Sequence, residues 1–580
     1  MLAGQFVAGS EPLDPDPATL PRSSSLVEAP SLAALSSHEG ISRLCGSSLA
    51  FASTPISNSL NAAGTPAGMR SWEPVPGVVR SDGLDSFHLE VDANGPVRSV
   101  VLQGETYFFR FRSGGGPPFV LRDDGLNGDR VAGDYIFTSE ALVCNTSVDR
   151  PAFLWGNTNS PAGLFIANIA GQVEIVELGG QTNRLLVGPY AGILDPGQAL
   201  RSAARLSSDI FAGPHVVNIR TEARATQQSL RAGNALATLT RPILNVLPDV
   251  FDFFMFFSTD HLEFNSSLDS RNFVVGSHYS SRINFAGSGQ APMDGSSAYG
   301  SGSTLAGLNI IDAFETFTEY MTHELVHQWA AFLPTSLGLT DGTGHYERRS
   351  NLGSFVGGGN WLEQHNGTFI RDCDYPPRAP ALDRYLMGLL DSSRVAPLKV
   401  NATFVRDCGG VISNITRTVS LAEIQAVVGS RTPGPATSQR AFSLAFVAET
   451  YGRFLTPTEL TFYDILAEHY TAIVPANAPD PGMTTCWAPI TRYFGEGTTW
   501  RSDILGRIQP TVTSIQLLAG NRIQLSGTGY PGFSYSLQAA DGLAGWVFIG
   551  GVAAAPNGIF SVTLTNQAGF ASRFYRLSRP

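Results

Sequence analysis

Between Ile311 and Thr335 the chain reads IDAFETFTEYMTHELVHQWAAFLPT, and this segment constrains the fold more than any other. Phe314, Phe317, Met321, Leu325, Trp329 and Phe332 recur at spacings of three and four, which is the apolar stripe of one buried helix face. Asp312 followed by Glu315 predicts a capping box, and Pro334 predicts the stop. His323 and His327, four residues apart on that helix, project from the same side, and Glu324 stands roughly 100° round the axis. Two neutral imidazoles within reach of one ion, with a carboxylate beside them, make an H-E-x-x-H arrangement suited to zinc. Buried polar side chains must be paired or bind a metal, because their desolvation is otherwise uncompensated.

The remainder of the 580 residues predicts a β-rich, multidomain chain. Hydrophobic residues are 43% and charged residues 15%, with 61 glycines and 36 prolines, a balance that favours turns and short strands over long solvated helices. Residues 1–75 are rich in Ser, Ala and Pro and predict an unstructured leader or linker. Residues 76–182 alternate in short runs (FHLEV, SVVL, TYFFRFR, GLFIANI, QVEIVEL), the pattern of an Ig-like β-sandwich. Residues 183–510 form the largest unit, α+β in pattern, with helices expected at 227–248, 381–390, 420–428 and 457–472 and a strand at DFFMFFS. Residues 511–580 return to strands and turns and predict a C-terminal β-sandwich.

Inside the first sandwich, LRDDGLNGDRVAGDYIFTS gathers Asp123, Asp124, Asn127, Asp129 and Asp134. Crowded carboxylates suit Ca2+, but the spacing is not that of an EF-hand, and Asp, Asn and Gly also build turns for backbone reasons alone. The turn is the preferred reading and calcium the alternative. The segment also resembles the DDG-x-x-GD signature of sandwich modules in bacterial secreted proteins.

A catalytic zinc site needs a third protein ligand and an open fourth position. The short extension H-x-x-G-x-x-H fails, since Ala330 and Leu333 occupy the glycine and histidine positions. The downstream candidates are His345, Glu363, His365 and Asp383. Asp383 opens a short apolar helix, a position suited to orienting a ligand histidine rather than binding metal itself.

THELVHQW, GHYERRSNLGSFVGGGNW and APALDRYLMGLL, in this order, resemble a family of uncharacterised bacterial secreted zinc metallopeptidases, across most of residues 250–470. The same order is similar to that of leishmanolysin-type metzincins, in which a long insertion separates the metal helix from its third ligand. The resemblance implies a zincin-like catalytic domain with His323, His327 and His345 as metal ligands and Glu324 as general base. The Met-turn methionine of that pattern falls on Val356.

The expected activity is therefore zinc-dependent hydrolysis of peptide bonds in a protein or peptide substrate. The Gly/Ser-rich stretch SSAYGSGSTLAGLNI, just before the motif helix, is the expected edge strand for an extended substrate. A non-catalytic secreted adhesin with a structural or vestigial metal site is the competing expectation. The formal charge of −11 disfavours nucleic acid and anionic membranes as partners, and no apolar run is long enough to span a bilayer. The first residues lack a basic start and apolar core, yet low charge with abundant Gly, Ser, Thr and Asn points to a secreted or cell-surface location. Five cysteines lie far apart; a Cys373–Cys408 bridge is conceivable, and an odd count leaves at least one thiol outside intramolecular pairs.

Overall fold

The structure is a computed structural model that describes residues 71–93, 95–103, 107–114, 118–150, 152, 154, 160–169, 172–185, 190–222, 235–259, 277–312, 319–364, 366–372, 378–475, 488–505, 510–529, 534–542, 545–555, 557–565 and 573–578. It is mostly β, in several units, as composition predicts. The calcium-or-turn loop, the motif histidines and the C-terminal strands all lie within it; His365, Cys373 and the Glu315 of the expected capping box fall outside the described residues.

At the centre is a mixed sheet whose strands are numbered here within that sheet: β1 Ala204–Arg205, β2 Ile210–Ala212, β3 Val216–Thr221, β4 Phe253–Ser258, β5 Ser277–Ser280, β6 Gly307–Asp312, β7 Ala441–Tyr451 and β8 Thr499–Arg501. The order is β1-β2-β3-β7-β4-β6-β5, with β8 alongside the start of β7. The strands β3, β7, β4 and β6 run parallel, and β5 closes one edge antiparallel to β6. The run FFMFFS is apolar without alternation because both faces of β4 are covered: Phe253, Met255 and Phe257 enter one core, Phe254 and Phe256 the other.

Two corrections to the expected layout follow from this sheet. The stretch SSAYGSGSTLAGLNI does not supply an edge strand: Ser296–Tyr299 is a 3₁₀ turn, and β6 is paired on both sides, with β4 and with β5. The edge belongs to β5. The motif helix Glu319–Val326 also ends before its apolar stripe does, six residues short of Phe332, while Asp312 is the last residue of β6 and residues 313–318, where the capping box is expected, lie outside the described residues. Beyond Val326 the turns tighten, with His327 N bonded to Glu324 O at 3.2 Å and Trp329 N to Val326 O at 3.0 Å. Ala331, at φ 69°, then reverses the chain three residues before Pro334.

The boundary expected at residue 182 cuts through a hairpin, since Thr182–Leu185 pairs with Gln172–Glu177. The N-terminal unit also includes Ser71–Val75, paired with His88–Asp92, and Tyr190–Leu194, paired with Leu164–Asn168 and, in parallel, with Val78–Arg80. That last three-stranded sheet is a shared wall. Val79, Phe165, Ala167, Ala191 and Ile193 face the N-terminal core, whereas Val78, Leu164, Ile166 and Leu194 join the core of the central unit. A Cβ on Gly192 would lie 3.2 Å from the Phe462 ring, which is how closely this wall meets the helix Pro457–Tyr470. Glu459 on the same helix is buried and accepts from Gly77 N at 2.7 Å, and it takes both Nη groups of Arg453 at 2.7 and 2.8 Å.

The C-terminal unit packs two three-stranded sheets, in the orders Thr511–Leu518, Arg522–Thr528, Ile559–Thr565 and Val547–Ala553, Ser534–Ala540, Phe574–Ser578, around Ile523, Leu525, Leu537, Val552 and Phe560. Tyr535 and Ala554 dock one end of it against Ile504, Leu505 and the helix Ala235–Leu244. In the Asp-rich loop, Asp123, Asp129 and Asp134 come within 4.8 Å of one another. Their oxygens accept the loop's own N–H groups: Asp123 from Gly133, Asp134 and Tyr135, and Asp129 from Gly125. These bonds are what the turn reading requires. Cys408 is disulfide-bonded, and Cys144 is buried and free.

Candidate metal centre

The helix Glu319–Val326 and the tight turn after it place His323 and His327 on one side, and the loop Asp341–Tyr346 brings His345 to meet them. Asp341 shapes this loop by accepting from Thr343 N at 2.7 Å and His345 N at 3.3 Å. The Nε2 atoms of His323 and His327 are 3.2 Å apart, and those of His323 and His345 are 3.3 Å apart. Three nitrogens bound tetrahedrally at about 2.0–2.1 Å from one centre would be separated by about 3.3–3.4 Å. The observed spacings therefore fit the edges of a zinc-sized tetrahedron, and the cluster could hold a metal ion.

Protonation is consistent with that role. Burial, then the neighbouring His345, pushes His323 down to about 3, and burial with the two other imidazoles holds His327 well below the usual histidine range. Nδ1–H of His323 donates to the carbonyl of Phe355 at 2.5 Å, which leaves the Nε2 lone pair aimed at the centre. His327 Nδ1 is buried and meets no hydrogen-bonding partner among the described residues. Glu324, 5% exposed, sits next to His323 on the same helix.

A buried network holds the third histidine's loop. Asp383, fully enclosed at the start of the helix Ala381–Leu386, accepts from Tyr346 Oη at 2.8 Å and from Ser354 Oγ at 2.5 Å. Tyr346 follows His345 in the chain, and Ser354 precedes Phe355, so one carboxylate steadies both supports of the cluster. Burial raises Asp383 to about 6. Tyr493 stacks on Phe355 with centroids 3.9 Å apart and accepts its N–H at 3.2 Å. Asp383 thus lies behind the histidines and not among them, as its helix position predicts. Glu363, in the strand Asn360–Glu363, is exposed and outside the cluster. Val356, buried, stands where the resemblance sets the Met-turn methionine.

One group of residues escaped the sequence reading. His278 on β5 is buried, with Nδ1 2.9 Å from Asn309 Oδ1 on β6 and Nε2 3.0 Å from Gln328 Oε1 beside His327. Gln328 in turn donates to Arg282 O at 2.8 Å. These contacts tie the edge strand to the metal-site turn. A Cβ at Gly307 would lie 2.6 Å from His278 Cε1, so the tie needs glycine there. No local spacing announces His278, because its partners are 31 and 50 residues away.

No known family model, curated protein or solved structure matches this chain.

Proposed function

We propose that the protein is a secreted or cell-surface zinc-dependent endopeptidase with a zincin-like catalytic unit. The observation that carries this reading is the convergence of three imidazoles, His327 buried and His323 and His345 half-buried, at the separations a tetrahedral zinc ion requires, with a buried glutamate adjoining the first. His323, His327 and His345 would hold the ion. A zinc ion held there would supply a Lewis acid for a peptide carbonyl and for a water molecule. Glu324 would accept a proton from the attacking water and return it to the leaving amine. Asp383, through Tyr346 and Ser354, keeps the third histidine and the Phe355 carbonyl in place. An extended substrate would add to the outer edge of β5, against which no strand pairs among the described residues. The disulfide at Cys408 fits an oxidising compartment.

The test is metal analysis with a peptide-cleavage assay on wild type and Glu324→Gln. One zinc per chain in both, with cleavage only in the wild type, is the expected result. Equal cleavage by both proteins would remove Glu324 from the mechanism, and a wild type that takes up no zinc would remove the site.

A further inference from the structure

The C-terminal unit has two unlike ends. One is docked, through Tyr535 and Ala554, on the central unit. At the opposite end lie the strand ends Leu518 and Arg522, Ala540 and Val547, and Thr565 and Phe574. Pairing places Val547 opposite Ala539, Phe548 opposite Gln538 and Phe574 opposite Ala540 at this distal end of one sheet, while Leu517 and Arg522 stand at the same end of the other. Leu517 is 82% exposed, Val547 63% and Phe548 62%, and Ile549 and Phe574 are also open to solvent. Leu517 and Val547 point to the same side as the core residues Ile523 and Ala539 opposite them, yet they overhang the core instead of filling it.

Charge at this end is opposite to that of the whole chain. Residues 511–580 contain four arginines and one acid, Asp541, whereas the full chain carries −11. Arg522, Arg573 and Arg576 adjoin the distal turns, and the Arg576 guanidinium lies 4.4 Å from the centre of the Trp546 ring. Tip-to-tip association of two copies would set arginines against arginines. Exposed Phe, Val and Leu beside a half-buried Trp and several arginines is a composition that seats in a lipid headgroup layer, where aromatic rings lie at the interface and each basic group gains from anionic lipid.

We propose that the distal tip of the C-terminal sandwich is a docking surface for an anionic lipid bilayer. Leu517, Val547 and Phe548 enter the headgroup region, and Arg522 and Arg576 meet the lipid phosphates. The acidic remainder of the chain is repelled by the same surface, so the molecule approaches tip first.

The test is co-sedimentation of the full chain with vesicles of phosphatidylcholine, with and without phosphatidylglycerol, at low and high salt. Wild type is expected to pellet with the phosphatidylglycerol vesicles, less so at high salt. Phe548→Asp and Leu517→Asp should each lower the partition about tenfold, the scale set by burying one such side chain. Both positions are exposed, and circular dichroism checks that each variant is folded. Should either fail to fold, quenching of wild-type tryptophan fluorescence by brominated lipid reads tip insertion directly. Absence of wild-type binding to the anionic vesicles, or binding unchanged in folded variants, would overturn the proposal. So would a wild-type dimer that Phe548→Asp converts to monomer, since a second copy would then be the occupant.

Discussion

The ring of His323 donates from Nδ1 to the carbonyl oxygen of Phe355 across 2.5 Å, and this one bond selects the tautomer in which Nε2 faces His327 and His345. Burial pushes the ring down to about 3, so it stays uncharged through the whole physiological range. In the metal-free protein the nitrogen-15 shifts of His323 should therefore hold at their neutral, Nδ1-protonated values between about pH 8 and pH 5, whereas an ordinary histidine titrates near 6.5. Titration of His323 near 6.5 would contradict the burial that the site depends on.

His345 reaches the cluster from a loop, so its removal should spare the fold. His345→Ala is expected to weaken zinc binding by more than about a hundredfold, beyond the range usual for residues that only support a ligand. Competition with a chromophoric chelator measures this, and a thermal melt of the metal-free protein should move by no more than a few degrees.

Asp383 acts at one remove. Asp383→Asn places an amide N–H₂ against either the Tyr346 or the Ser354 hydroxyl donor. Zinc affinity should fall on the order of 10–100-fold, and the metal-free protein should lose about 1–3 kcal/mol. Glutamate at the same position would overfill the enclosure and should not restore affinity.

Asp464 predicts a pH dependence remote from the metal. One of its oxygens accepts from His215 N at 2.8 Å, the other is buried and meets no hydrogen-bonding partner among the described residues, and burial raises the carboxyl to about 7. The unfolded chain gives up this proton near 4 and the folded chain only near 7, so between those values the folded state binds more protons and stability falls as pH rises. Asp464→Asn should leave stability nearly unchanged near pH 4 and raise it at pH 8 by about 4 kcal/mol, read from urea melts at both pH values. An equal change at both would point to packing and not to the proton.

Glu459 joins the N-terminal unit to the centre. Glu459→Gln leaves the Arg453 guanidinium, mostly enclosed, without its carboxylate, which should cost about 3–5 kcal/mol. Because the two units share a wall, the N-terminal and central regions should still melt together in a single calorimetric transition.

The parts of the fold that were legible in the sequence are those with their own periodicity. The stripe from Met321 to Trp329 announced the motif helix, and alternation announced Arg522–Thr528 and Ser534–Ala540. His345 was one of four downstream candidates and was singled out by resemblance, because a loop carries no period that ties its residues to a helix ending nineteen positions earlier. The edge strand went to β6 instead of β5 because sheet order is not written locally: SHYS has no apolar alternation, and its place beside β6 is set by packing. The boundary at 182 failed for a related reason. A strand such as Leu164–Asn168, covered on both faces, offers no polar side to mark where a unit ends.

The shared wall of Val78–Arg80, Leu164–Asn168 and Tyr190–Leu194 also bears on ancestry. A module that keeps a solvent-facing side can be copied, lost or moved between genes without injury to its neighbour. This sheet has none to keep, since removing the first unit would lay bare Val78, Ile166 and Leu194 on the second. The N-terminal and central regions of this chain should therefore travel through descent as one inseparable block, while the C-terminal sandwich, attached at a single end, remains the piece that recombination can exchange.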